Sequence, residues 1–377
     1  MKNIPENPDI IAVNGSFGIG GAFELARANP EKKVLVLLHE SEYVKAAKNS
    51  DLSHFFKKTK INIPPNICFK EADKFEGQVG KLFFSAFSTK KTRTSIKKLL
   101  NQNPEMLDKC DILVGSKGIE LPEAEDVDEK NLPCQIIEDS LVAHGKNRES
   151  ARKKIGYLIG GTLATTLATG KRAGADVGGE RDFQIRVAKH FEGSNLKIHF
   201  ENVLDPISLQ IGGAMKNVFA ILTGFLQSAI AKGHPKVDDS SAGLLYARCV
   251  AEFKRLARAC GAEEKALAKD SGLTSDLILS MQGGKTRNFL FGNKLGEIVD
   301  WGEKVSPENI KIAKGKKTVE GLDSASALFQ FAKNKNVATP RTEAAVNFLE
   351  GKITPNQLIQ EIFSQPTEFY KLQKNNF

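Results

Sequence analysis

Residues 212–231, GGAMKNVFAILTGFLQSAIA, restrict the possible folds more than any other stretch of the chain. After Lys216 and Asn217 no charged residue appears until Lys232. Val218, Ile221, Leu222 and Phe225 recur at i, i+3, i+4 and i+7, the helical period, and the sides between them are mostly apolar too. A helix of that kind must be buried, so the rest of the chain has to wrap around it. Lys216 and Asn217 then stand as polar groups at the entrance to a core. A buried ammonium is costly unless it is paired or loses its charge. Placed well, it can polarise or protonate a substrate oxygen. The spacing alone is also compatible with a lysine that snorkels to solvent from the first turn.

A second constraint lies near the N-terminus. Residues 9–26, DIIAVNGSFGIGGAFELA, run from an apolar strand (10–13) through a glycine-rich turn into a helical pattern. The next apolar run, 34–38, is a second strand ending in His39 and Glu40. Strand, glycine turn, helix and acid-ended strand make a dinucleotide-binding unit. The missing β-carbons let the backbone approach a pyrophosphate, whose charge the helix N-terminus stabilises. With Gly15 and Gly20 as first and third glycines, Phe17 takes the second position and Gly18 follows it. Gly15, Ser16, Phe17, Gly18 and Gly20 are therefore expected to face the cofactor. Glu40 lies at the offset from Gly20 expected of a carboxylate on a ribose 2′-hydroxyl. No arginine adjoins it, which favours NAD over NADP.

Further strands are expected at 82–86, 112–114, 135–138 and 157–159, with helix and loop over 41–80 and close-packed turns over 160–179. Lys117 follows the 112–114 strand, at the end of an open sheet where ligands sit. Beyond Val203 helical periodicity takes over. Helices are expected at 242–260, 324–333, 342–349 and 355–363, with a loop-rich block at 272–292 and a peripheral tail after Gln365. The expected domains are an α/β domain at 1–203 and an all-helical domain at 204–377.

Five scattered cysteines without a CxxC and six dispersed histidines point to reduced thiols and no metal site. The N-terminus lacks a signal-type apolar region, and the longest uncharged stretches fall short of the roughly 20 residues that span a bilayer. A cytoplasmic protein is expected. The net charge of +9 permits a nucleic-acid or membrane surface, or a field favouring a small anion. The basic clusters are separate, flanked by acids and free of aromatic interleaving, which argues against nucleic acid.

SKGIE at 116–120, GGAMKN at 212–217, SD within GLTSDLI at 272–278 and GGKTRN at 283–288 occur in the order found in glycerol-3-phosphate dehydrogenases. From about residue 9 to 363, including NIPPNI (62–67) and VEG (319–321), the chain resembles the soluble NAD(P)-dependent type. The resemblance implies a Rossmann-like domain followed by an all-α domain like that at the C-terminus of 6-phosphogluconate dehydrogenase. It places the active site between them and suggests a homodimer. The reaction it implies is reversible hydride transfer between NAD(P)H and dihydroxyacetone phosphate, a small phosphorylated substrate, giving sn-glycerol 3-phosphate.

By the same resemblance Lys216 is the catalytic lysine, Lys117 the second lysine, and Asp276 and Asn217 the polar residues around them. Arg287 and Asn288 bind the substrate phosphate, Ser280 replaces a usual threonine, and Glu320 lies on the cofactor side. The family's GPSFA, AVPS, GVE and GDNT elements stand here as GGTLA (160–164), AFST (86–89), SLQ (208–210) and DDSS (238–241). Those departures leave open a dehydrogenase for another small phosphorylated or carboxylated ketone, or a non-catalytic NAD(H) sensor.

Overall fold

The structure, a computed structural model, describes residues 7–364 apart from 14, 58, 122–126, 201, 202, 204, 283 and 285. The expectation for the tail after Gln365 falls outside the described residues. Two compact units emerge. The first comprises Met1–Ser116, Pro133–Leu209 and Ala268–Asp276, the second Lys117–Leu132, Gln210–Leu267 and Leu277–Phe377.

The first unit is built on one sheet. Its strands are β1 (Ile10–Val13), β2 (Val34–Leu38), β3 (Ile67–Glu71), β4 (Leu82–Ser85), β5 (Asp111–Val114), β6 (Ile155–Ile159), β7 (Ala173–Gly178) and β8 (Leu196–His199). They lie in the order β3-β2-β1-β4-β5-β6-β7-β8. Neighbours run parallel except β6 and β7, which are antiparallel. Strands β1, β2, β4, β5 and β6 are buried at every residue, as continuous apolar strings become when both faces of a parallel sheet are covered. The covering helices include α1 (Gly15–Ala28), α2 (Ser41–Lys48), α3 (Thr89–Gln102), α4 (Pro133–Ala143), α5 (Arg148–Arg152), α6 (Ala164–Ala168) and α7 (Arg181–His190). Ile19 and Phe23 of α1 share one core with Ile10, Val34, Val36 and Phe84 of the sheet. The strand order reverses at β1, between β2 and β4, so α1 starts at the topological switch point where dinucleotides bind.

The strand expected at 135–138 is helix α4 instead. Ile136, Ile137 and Leu141 are buried at helical spacing, and a short apolar run does not by itself tell strand from helix. The segment 160–179 holds α6 and β7 rather than turns alone, and β3 lies inside the span expected as helix and loop.

The second unit is helical. It draws on α8 (Pro206–Ala231), α9 (Asp239–Ala259), α10 (Glu264–Lys269), α11 (Gly272–Gln282), α12 (Arg287–Ile298), α13 (Pro307–Lys314), α14 (Glu320–Asn334), α15 (Pro340–Leu349) and α16 (Pro355–Glu361). The division between the units falls inside α8, after Leu209, rather than at residue 203. The block expected as loop at 272–292 is mostly α11 and the start of α12. Both helices start on caps: Asp270, just before the block, accepts from the Leu273 and Thr274 amides, and Thr286 accepts from the Phe289 amide.

Helix α8 starts earlier than its apolar run suggests. Pro206 occupies the first helical position and the Asp205 carboxylate accepts from the Ser208 amide at 2.9 Å. Lys216 and Asn217 therefore lie about three turns inside the helix, not at its entrance. Val218, Phe219, Ile221, Leu222, Phe225 and Leu226 are at most 1% exposed. Each such side chain contributes about 1.5–3 kcal/mol by leaving water. The helix is long and apolar enough to cross a membrane, but that stretch is entirely buried within the protein.

Helices α8 and α12 meet backbone to backbone. A β-carbon on Gly224 would fall 2.1 Å from the Phe289 carbonyl oxygen, and one on Gly292 would fall 2.0 Å from that of Ile221. Gly292→Ala must push the two helices apart. It is expected to lower unfolding stability by about 1–3 kcal/mol or more in denaturant titration; an unchanged midpoint would show that the helices are not held this closely.

Candidate active site

The helical unit brings four separated sequence motifs into one polar network around α8. Lys216 is 8% exposed, and its Nζ donates to the Ser280 hydroxyl of α11 at 3.1 Å. Asn217 is 2% exposed, and its Nδ2 donates to the Lys117 carbonyl at 2.9 Å and reaches Glu320 Oε2 at 3.4 Å. Asn288 Nδ2 donates to Asn217 Oδ1 at 2.7 Å, and Asn288 Oδ1 accepts from the Gly321 amide at 3.0 Å. A β-carbon on Gly321 would strike the Asn217 carbonyl oxygen at 2.5 Å, so α14 can begin here only on glycine. Each buried amide is thus satisfied by a partner from another element, which fixes the rotamers around Lys216.

Arg287 is exposed on the first turn of α12, beside the capping Thr286. Among the described residues its guanidinium has no hydrogen-bond or ion-pair partner. A free guanidinium at a helix N-terminus is suited to a phosphate. Lys117 is half-buried just beyond β5, and Glu320 is half-buried at the start of α14.

In the first unit, Gly15 follows the switch-point strand with φ +64° and open space where a side chain would stand. The expected glycine register shifts. A β-carbon on Gly18 would lie 2.4 Å from the Val13 carbonyl oxygen of β1, so Gly18 is the glycine that allows close helix–strand packing. Gly15 is then the second glycine, and Val13 stands where the first would be. Gly20 instead packs against the Ala164 carbonyl of α6, 2.8 Å from its would-be β-carbon. Phe17 packs its ring 5.9 Å from that of Phe84, above Gly115 at the end of β5. Ser16 donates its hydroxyl to the Phe55 carbonyl at 3.0 Å. Glu40 follows β2, exposed and making no capping bond. The open left-handed glycine at the start of a helix at the switch point fits a dinucleotide pyrophosphate.

Residues 205–360, which contain Lys216, Asn217, Ser280, Asn288 and Glu320, match the family model of the NAD-dependent glycerol-3-phosphate dehydrogenase C-terminus. That region is thus similar to the C-terminal part of NAD-dependent glycerol-3-phosphate dehydrogenases. A relative from Rhizobium johnstonii, named glycerol-3-phosphate dehydrogenase (NAD(P)+), is 30% identical over 228 residues, 60% of this chain and 64% of that protein. One of the same name from Azorhizobium caulinodans is 31% identical over 210 residues, covering 55% of this chain and 58% of its own. The chain thus spans a little under two thirds of the length of these relatives. Among solved structures, the glycerol-3-phosphate dehydrogenase of Coxiella burnetii superposes with a TM-score of 0.75 at 21% identity, over 96% of this chain and all of that one. That of Saccharomyces cerevisiae gives 0.70 at 16% identity, over 95% of this chain and all of its own. These share the Rossmann-like fold with an added helical domain.

One arrangement has no sequence motif to announce it. Asp276, 2% exposed, precedes Ser280 by one helical turn on α11. The start of α11, up to Asp276, belongs to the first unit, where Asp176 Oδ2 of β7 accepts from the Gly272 amide at 2.7 Å. The Ser275 hydroxyl accepts from the Gly161 amide at 2.9 Å, so the altered GGTLA element also holds this helix. Asp176 faces Asp270, and His199 Nδ1 lies 3.6 Å from Asp176 Oδ1. Burial raises both carboxyls, and the repulsion between them helps push Asp270 up to about 7. Two buried carboxyls that repel one another favour keeping one proton between them.

A carboxyl raised on folding binds more protons in the folded than in the unfolded state, so its contribution to stability falls as pH rises through about 4 to 7. Asp270→Asn should remove this loss. The melting-temperature difference, variant minus wild type, is expected to grow between about pH 4 and pH 8. A difference that stays constant with pH would show that the pair shares no proton.

Proposed function

We propose that this protein reduces dihydroxyacetone phosphate reversibly to sn-glycerol 3-phosphate, using NADH in preference to NADPH. The observation that carries the reading is Lys216, a buried lysine held by Ser280 inside the asparagine network. A ketone accepts hydride only if the alkoxide forming on its oxygen is stabilised, and a desolvated ammonium does this well. Lys216 Nζ would donate to the C2 oxygen and pass it a proton, with Ser280 orienting the ammonium. Lys117 would add a second positive charge, and Asp276 would keep Lys216 protonated despite its burial. Asn217 and Asn288 would hold these groups in place. Arg287 would bind the phosphate dianion with its planar fork of donors.

The turn from Gly15 to Gly18, with Ser16 and Phe17, would hold the dinucleotide, Glu40 would accept from its adenosine ribose, and Glu320 would lie on its nicotinamide side. When bound, that cofactor supplies the hydride. Glu40 would repel a 2′-phosphate, which supports the NADH preference. The resemblance across the chain supports a homodimer, and the five free cysteines support a reducing, cytoplasmic setting. Another small phosphorylated or carboxylated ketone is the second reading, favoured by the altered GGTLA (160–164) and SLQ (208–210) elements.

Lys216→Ala is expected to lower kcat by about a thousandfold or more while leaving NADH affinity nearly unchanged; near-normal turnover would remove Lys216 from the chemistry. Arg287→Ala should raise KM for dihydroxyacetone phosphate by about tenfold to a hundredfold, the value of a charge-assisted contact. An unaltered KM would place the phosphate elsewhere.

A further inference from the structure

The parallel strands β2, β4, β5 and β6 all begin at the same edge of the sheet, the end opposite the glycine turn. A cleft of about 630 Å³ opens there, lined by Lys32, Lys81, Lys109, Lys153, Lys154, Arg186 and Lys189. The carboxylates in its wall are Asp111, Glu180 and Asp182, and Glu149, Glu31 and Asp9 beside it pair with Lys153, Lys32 and Lys81. The lysines come from four separate inter-strand segments and from α7, so no run in the sequence reveals the cluster.

Part of the charge is committed to the fold. Arg186 forms a two-pronged pair with Asp111 at 2.7 and 2.8 Å, and Lys154 donates to the Asp108 carbonyl at 2.6 Å. Among the described residues, Lys109 and Lys189 have no partner. Lys32 and Lys81 both act on the His190 ring, whose pKa is lowered first by burial and then by their charges. Lys109 and Lys189 thus keep uncompensated charge on a concave surface, which favours an anion, and its volume lies within the range of small-molecule sites.

We propose that this edge of the sheet is a binding site for a small polyanion carrying two or more phosphates. The site lies in the sheet unit, away from the glycine turn, so its ligand should bind together with the dinucleotide. The test is calorimetric titration of the full-length protein with inorganic triphosphate, in the presence of saturating NADH and about 0.15 M salt. One saturable site is expected, weakened at least tenfold in the Lys109→Glu, Lys189→Glu double variant. The variant should keep its melting temperature and its basal turnover. Three results would overturn the proposal: no saturable binding, binding unaltered in the double variant, or displacement of triphosphate by NADH. Retention of heparin without triphosphate binding would also overturn it, in favour of a macromolecular surface.

Discussion

The contact on which the helical unit depends is the close approach of other backbones to α8. Gly224 and Gly292 let α12 touch it, and Gly321 lets α14 begin against it. Without β-carbons between them, Asn288 and Glu320 come within hydrogen-bonding reach of Asn217. That reach matters because both asparagines are buried: an unsatisfied buried amide would cost about 1–3 kcal/mol. The glycines therefore do more than pack helices. They bring the amide partners into the register that surrounds Lys216.

Much of this was legible in sequence, for identifiable reasons. The uncharged run after Asn217 implies a buried helix, because nothing else can shelter it. The apolar strings at 10–13 and 34–38 and the glycine turn between them imply a parallel sheet with a ligand at its switch point. Lys216 bonds Ser280, and Asn217 bonds Asn288 and Glu320, residues that the sequence motifs single out one by one. Helix starts were harder. Asp205 and Pro206 form a standard N-cap pair, yet the polar SLQ that follows hides the helix they open. Gly272 and Thr286 resemble loop residues in sequence and are helix-start residues in the fold. The glycine register was ambiguous because Gly15, Gly18, Gly20 and Gly21 crowd together, and only the approach of Gly18 to Val13 separates their roles.

Other features have no linear signature. Asp176 and Asp270 are far apart in sequence, and their carboxyls face one another only because β7 and the start of α11 meet. The lysines of the amino-terminal edge are likewise dispersed, each beside acidic neighbours that make it resemble an ordinary solvated charge. A positive net charge therefore says little until the strand starts are aligned. The altered GGTLA element is similar. As a string it is a departure from the family pattern, but in the fold Gly161 holds Ser275 and so steadies the helix that carries Asp276 and Ser280.

The most direct measurement is the fall in nicotinamide absorbance when the protein and NADH are mixed with dihydroxyacetone phosphate, compared with dihydroxyacetone under the same conditions. A buried lysine serving a phosphorylated ketone predicts rapid oxidation with the phosphate ester and a kcat/KM at least about a thousandfold lower without it. Equal rates with the two ketones would contradict the phosphate role of Arg287. No oxidation with either would contradict reduction of this ketone by the Lys216 network.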